Sequence, residues 1–177
     1  IGQDPAKNGS SNVFGLVDAN GNILAQFLSG VPGSSGTVIA KSGVAVNGPA
    51  DTNENILATV TVPAGSMGIN GMLRIRASWS GTNNVNVKTC RIRFGGIGGT
   101  IYGTAVITSM PSGQTESRIW NRGAANSQFG DFVVFLSTNA VTNVTNATSA
   151  IDTSAATTIV FTVQKATGGD TLTLEAY

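Results

Sequence analysis

Histidine is missing from this chain, and only 11% of its 177 residues carry a charge. Proton transfer near neutral pH relies on imidazole more than on any other side chain. Its absence removes the usual catalytic triads, most zinc sites and most proton shuttles. Excess charge of either sign is also lacking. Ten basic and nine acidic residues leave a formal net charge of +1, too little to argue for nucleic acid or an anionic membrane as partner. Cys90 is the single cysteine, so no internal disulfide forms and stability must come from packing or association. No apolar run approaches the roughly 18–20 residues that cross a bilayer, so membrane insertion is not expected. Residues 1–12 have no basic stretch leading into an apolar one and do not read as a signal peptide.

What is present favours strands. Hydrophobic residues make up 41% of the chain, enough for a sizeable core, and 23 glycines punctuate it. Ser, Thr, Asn, Ala and Val supply much of the remainder, a composition suited to strands and tight turns. No window offers a helical stripe with caps.

The first segment reads as a hairpin. Val13–Val17 and Ile23–Leu28 are apolar on nearly every residue and flank Asp18-Ala19-Asn20-Gly21-Asn22, whose Asn-Gly favours a hairpin turn. A two-stranded ribbon with two apolar faces is not stable alone, so it is expected to rest on another subunit or a larger assembly. The Gly/Ser/Pro stretch Ser29–Gly36 reads as a linker, giving an arm at 1–36 and a main domain at 37–177.

The main domain reads as a succession of strands. They are Thr37–Val46 broken by Gly43, Ile56–Val62 ending at Pro63, Met72–Trp79, Lys88–Phe94, Thr100–Thr108, Glu116–Asn121, Phe132–Leu136, Thr157–Val163 and Thr171–Tyr177. In Met72–Trp79 the residues Leu73, Ile75, Ala77 and Trp79 share one face and Arg74, Arg76 and Ser78 the other. In Lys88–Phe94, Cys90, Ile92 and Phe94 point inward while Thr89, Arg91 and Arg93 point outward. Residues 137–156 read as a long loop or weak edge strands. Short, evenly spaced strands separated by turn residues predict an all-β antiparallel sandwich or barrel.

Two groups of residues stand out. If Met72–Trp79 and Lys88–Phe94 pair as a hairpin, Arg74, Arg76, Arg91 and Arg93 share one surface. Like charges opposite each other repel, so Glu54, Glu116, Asp131 and Glu175 are candidate counter-charges. The first reading of the cluster is pairing across strands or a subunit interface; the second is an anion or acidic-glycan site. Trp120 shares the polar side of its strand with Glu116, Arg118 and Arg122, the kind of platform that stacks on a sugar ring or partner surface, although ordinary packing is the simpler reading. Trp79 and Cys90 are expected in the core.

Other motifs fail. Gly95-Gly96-Ile97-Gly98-Gly99 lacks the spacing and context of a nucleotide loop. Asp18–Asn22 begins like a calcium loop, but position 29 is Ser where the closing Glu belongs. Asn8, Asn143 and Asn146 head glycosylation acceptor patterns that arise easily in so Asn- and Thr-rich a chain. No catalytic residue, cofactor or metal is expected.

Asn53–Gly65, continuing through Asn70–Arg74 to Lys88–Gly96, resembles small β-sandwich domains of tailed-bacteriophage virion proteins, as does the ending Ala150–Thr153, Thr158–Val160 and Asp170–Tyr177. Those domains occur as capsid decoration proteins or head fibres and as terminal domains of tail fibres and tailspikes. The resemblance covers about residues 37–177 and carries no ligand motif. It implies a jelly-roll-like, trimeric, non-enzymatic structural protein on the virion surface, with capsid decoration or head fibre ahead of a tail-fibre receptor-binding module. Residues 1–36 lie outside the resemblance and are expected to anchor the protein to other virion proteins. From a different class come a carbohydrate-binding module, with a solvent-facing aromatic near Trp120 or Tyr102 and a host-surface glycan as ligand, and a glycan-cleaving enzyme with two carboxylates in a cleft.

Overall fold

Strands with one apolar face exclude water most economically by closing two such faces on each other. The computed structural model of the protein follows this principle. It describes residues 12–17, 23–29, 36–109, 111–136 and 141–177, with side chains described at 36–109, 111–135 and 146–177. The described residues contain strands and no helix, and the chain divides into two compact units, residues 1–38 and 39–177.

In the first unit, β1 (Asn12–Val17) and β2 (Ile23–Ser29) form an antiparallel pair with Asn12 opposite Ser29 and Phe14 opposite Phe27. The expected turn Asp18–Asn22 and the linker residues 30–35 lie outside the described residues.

The second unit holds β3 (Val46–Asn47), β4 (Asn55–Val62), β5 (Met72–Gly81), β6 (Lys88–Phe94), β7 (Thr100–Ile107), β8 (Ser112–Asn121), β9 (Gln128–Leu136), β10 (Val141–Ser149), β11 (Thr157–Lys165) and β12 (Leu172–Ala176). They form a six-stranded sheet, β10-β9-β8-β5-β12-β3, packed on a four-stranded one, β4-β11-β6-β7. All pairs are antiparallel. The order has a simple generator: β3, β4, β5 and β6 pair with β12, β11, β8 and β7 in turn. A long hairpin wrapped on itself, its ribbons falling alternately in the two sheets, is a jelly roll. The β9–β10 hairpin is inserted between β8 and β11 and widens one sheet.

The core lies between the sheets. β5 contributes Leu73, Ile75, Ala77 and Trp79, and β6 contributes Cys90, Ile92 and Phe94, as their alternation predicts. Phe132, Phe161 and Leu174 close around them. Trp79 Nε1 donates to Thr115 Oγ1 at 3.0 Å, which satisfies the buried indole. Burial pushes the Cys90 thiol up, so it is an inert core group.

Three expectations are corrected. Thr37–Val46 is not a strand: only Val46 and Asn47 pair, with Leu174 and Thr173, and upstream Ser42 exchanges two backbone hydrogen bonds with Tyr177. Val38 and Val44 are more than two-thirds exposed, so no buried face holds this segment in a ladder. β9 begins at Gln128 instead of Phe132, because Gly130 lets the strand pass against Tyr102; a Cβ there would sit 2.5 Å from the ring. Tyr102, offered as a solvent-facing platform, is buried edge-on to Phe94, with its hydroxyl 2.7 Å from Ser149 Oγ.

Two inward positions are cations, Lys88 and Lys165. Lys88 is fully buried and donates to Asn84 Oδ1 and the Asn86 carbonyl, each at 2.8 Å, with Asp170 Oδ2 3.9 Å away. Asn84 Nδ2 donates to Asp170 Oδ1 at 2.7 Å, which with the two nearby lysines holds this carboxyl below its usual range. Asp170 Oδ2 meets no donor among the described residues.

Candidate functional site

The wrapped topology decides where the arginines go. Strands β5 and β6 are consecutive, yet β5 pairs with β8 and β12 while β6 pairs with β11 and β7. The expectation that Arg74, Arg76, Arg91 and Arg93 share one surface is therefore corrected. Arg74 and Arg76 leave the outer face of the six-stranded sheet, and Arg91 and Arg93 leave that of the four-stranded sheet.

On the four-stranded sheet the arginines are spent internally. Arg93 clasps Glu54 with Nε and a terminal nitrogen, each at 2.9 Å, and Arg91 stands 3.3 Å from the same carboxylate. Thr162 Oγ1 also donates to Glu54. These groups, Arg93 foremost, hold the Glu54 carboxyl below the usual range. Both guanidiniums are less than one-fifth exposed, so little of this charge reaches solvent.

The six-stranded sheet presents a different surface, built in cross-strand rows. Met72, Trp120, Phe129 and Thr148 form one row; Arg74, Arg118, Asp131 and Asn146 form the next; Arg76, Glu116 and Val133 form the third. Arg74 and Arg118 stand directly opposite each other, a repulsive pairing relieved from both sides. Arg74 grips Glu116 bidentately at 2.9 and 2.8 Å, and Arg118 grips Asp131 at 2.8 and 2.7 Å. Arg76 reaches Glu116 through Nε at 2.7 Å. Hydrogen bonds from Arg74, then Arg76, hold the Glu116 carboxyl low.

Trp120 stacks on Phe129 with ring centroids 6.1 Å apart. Arg118 lies 5.7 Å over the indole and Arg122 lies 4.2 Å over the phenyl ring. The structure thus brings Arg118, Trp120 and Arg122 together, as their shared strand face predicts. The platform also has neighbours that sequence reading missed, Phe129 and Asp131 on β9.

Burial sorts the charges by depth. The carboxylates of Glu116 and Asp131 are 11% and 17% exposed, whereas Arg74 and Arg76 are 53% and 69% exposed. Guanidinium groups stand outermost and the acids lie beneath them.

Beside Arg76 the surface drops into a trough. Short side chains make it: Ser80 faces Ser112, and Ser78 faces Gln114, which faces Phe135 on β9. Two adjoining depressions of about 210 and 420 Å³ share Ser78, Gln114 and Phe135. Arg76 and Glu116 close one end and Glu175, which accepts from Ser80 Oγ, lines the other. Phe135, 46% exposed, forms a side wall. The signals for the trough were Ser78 and Ser80 on the polar phase of β5 and Phe135 on the outward phase of Phe132-Val133-Val134-Phe135. They went unread because nothing in the sequence shows that β5 and β9 flank the same strand.

Among the described residues no group of three or more acids or cysteines is placed to hold a metal, and no helix is long and apolar enough to cross a membrane. Compared with protein-family models and with curated proteins, the chain matches none.

Proposed function

We propose that this chain is a non-enzymatic structural protein of a tailed-bacteriophage virion surface, a homotrimer that decorates the capsid or forms a head fibre, with residues 1–36 as its attachment to other virion proteins. The observation that carries the reading is the pairing of a jelly roll with a separate N-terminal hairpin unit. The hairpin strands are apolar on nearly every residue, and two strands alone bury too little to be stable. Contacts with copies of the chain or with a particle would supply the missing burial. The electrostatics also favour a structural role. Arginines clamp Glu54 and Glu116 and hold both carboxyls low, whereas a general acid needs one held high.

Native mass spectrometry of the full chain, beside a chain beginning at Thr37, tests this. A trimer that dissociates, or loses binding to the particle, without residues 1–36 supports the reading. A monomer at micromolar concentration in the full chain overturns it.

A second reading has its own observation. The outward guanidiniums, the Trp120–Phe129 stack and the adjoining trough fit a receptor-binding module of a tail fibre or tailspike that holds a carbohydrate. Glycan-dependent binding that leaves the oligomeric state unchanged supports it.

A further inference from the structure

In the trough an outward cation, an exposed aromatic ring and a floor of hydroxyls meet. Arg76 is its most telling wall. Its Nε is tied to Glu116 at 2.7 Å, while its two terminal nitrogens donate to nothing among the described residues. The tether removes freedom from a long side chain and leaves the flat end of the guanidinium, two parallel N–H groups, open to a planar anion. At the far end Glu175 offers carboxylate oxygens that accept from hydroxyls, as one already does from Ser80 Oγ. Ser78, Ser112 and Gln114 can donate or accept between them. Phe135 presents an exposed ring to an apolar surface.

We infer that this trough binds one carboxylate-bearing sugar unit of a polysaccharide, with the carboxylate on the terminal nitrogens of Arg76, hydroxyls on Glu175 and the serines, and the apolar face of the ring on Phe135. The inference rests on the receptor-binding reading above and names its ligand class.

Other occupants fit less well. A nucleic-acid strand gains affinity by neutralising several phosphates, and the trough offers one open guanidinium with Glu175 at the other end. An extended peptide would add to a free strand edge, but β5, β8 and β9 are each paired on both sides. A neutral sugar would leave Arg76 without its match.

The test uses the full chain and three carboxylated probes, polygalacturonate, hyaluronate and alginate. Methyl-esterified pectin and dextran serve as uncharged counterparts, and oligothymidylate as a nucleic acid, all in affinity electrophoresis. At least one carboxylated polymer should retard the protein while pectin ester and dextran do not. Arg76→Gln and Phe135→Ala should each weaken that retardation roughly tenfold with an unchanged melting temperature, as loss of an anchor does. Arg91→Gln, on the opposite sheet, should leave it unaltered. The inference is overturned if none of the three carboxylated polymers binds, if binding survives both trough substitutions, or if esterified pectin or oligothymidylate binds equally well. Light scattering on the same samples reports assembly separately. A trimer that ignores every polymer sinks the saccharide site alone, and a monomer that binds one sinks the trimer alone.

Discussion

Lys88 and Lys165 stand directly opposite each other in the β6–β11 ladder, and both are buried. The side chain of Asp170 lies 3.9 Å from Lys88 Nζ, and its backbone carbonyl accepts from Lys165 Nζ at 2.8 Å. Two cations lean on one residue in a water-poor end of the sandwich. Removing a buried counter-charge costs more than removing one of two like charges. Asp170→Ala should therefore lower stability more than Lys88→Met, which keeps the volume and relieves repulsion. Urea unfolding of the two variants checks the order.

Exposure separates two similar acid–arginine clusters. Around Glu54 the guanidiniums are 19% and 15% exposed, and around Glu116 they are 53% and 69% exposed. Water can replace the lost partner only in the second case. Glu54→Gln should cost about 2 kcal/mol, as for a charge-assisted bond lost from a shielded site, and Glu116→Gln under ~1 kcal/mol. Equal losses in thermal unfolding would contradict this account.

A pH profile follows from the same groups. Glu54, Glu116 and Asp170 all have folded values below their ordinary ones, each through hydrogen bonds from neighbours. A group of this kind stabilises the fold above its unfolded value and loses that contribution as pH falls through the folded one. Stability should therefore decline below about pH 4.3, the ordinary glutamate value. With no histidine to titrate, it should be nearly flat from about pH 5 to 8. Melting temperatures across this range decide the matter.

Glycines can be ranked by what surrounds them. A Cβ at Gly130 would meet the Tyr102 ring at 2.5 Å and the Arg118 carbonyl at 2.6 Å, whereas at Gly98 it would meet nothing within 4 Å. Gly130→Ala should cost roughly 3 kcal/mol or prevent folding, and Gly98→Ala should be close to neutral. Soluble yield and melting temperature report both.

The fold class was legible because β5 and β6 alternate strictly, so Leu73 to Trp79 and Cys90 to Phe94 declare their inward faces. Strand partners were not. Neighbours in sequence suggested a hairpin of β5 and β6, but alternation fixes which way a side chain points and not which strand lies alongside. That single unknown misplaced Arg91 and Arg93 and concealed the trough. The bulge at β4 was hidden for a related reason. Phe161 faces Ala58 and Thr162 faces Ile56, so Leu57 turns to the core while Ile56 stays half exposed, a phase slip imposed by β11. Trp120, Arg118 and Arg122 were readable together because β8 carries the first two and Arg122 follows directly after its last residue, Asn121.

The wrapped ribbon also sets the order of events during synthesis. β3 and β4 leave the ribosome first within their unit, yet their ladder partners lie in β12 and β11, more than ninety residues later. Until the final two strands emerge, the early ones offer unsatisfied edges to any nearby chain. The nascent polypeptide is thus most vulnerable to aggregation just before β11 and β12 emerge, and loss of those two strands would orphan partners made much earlier.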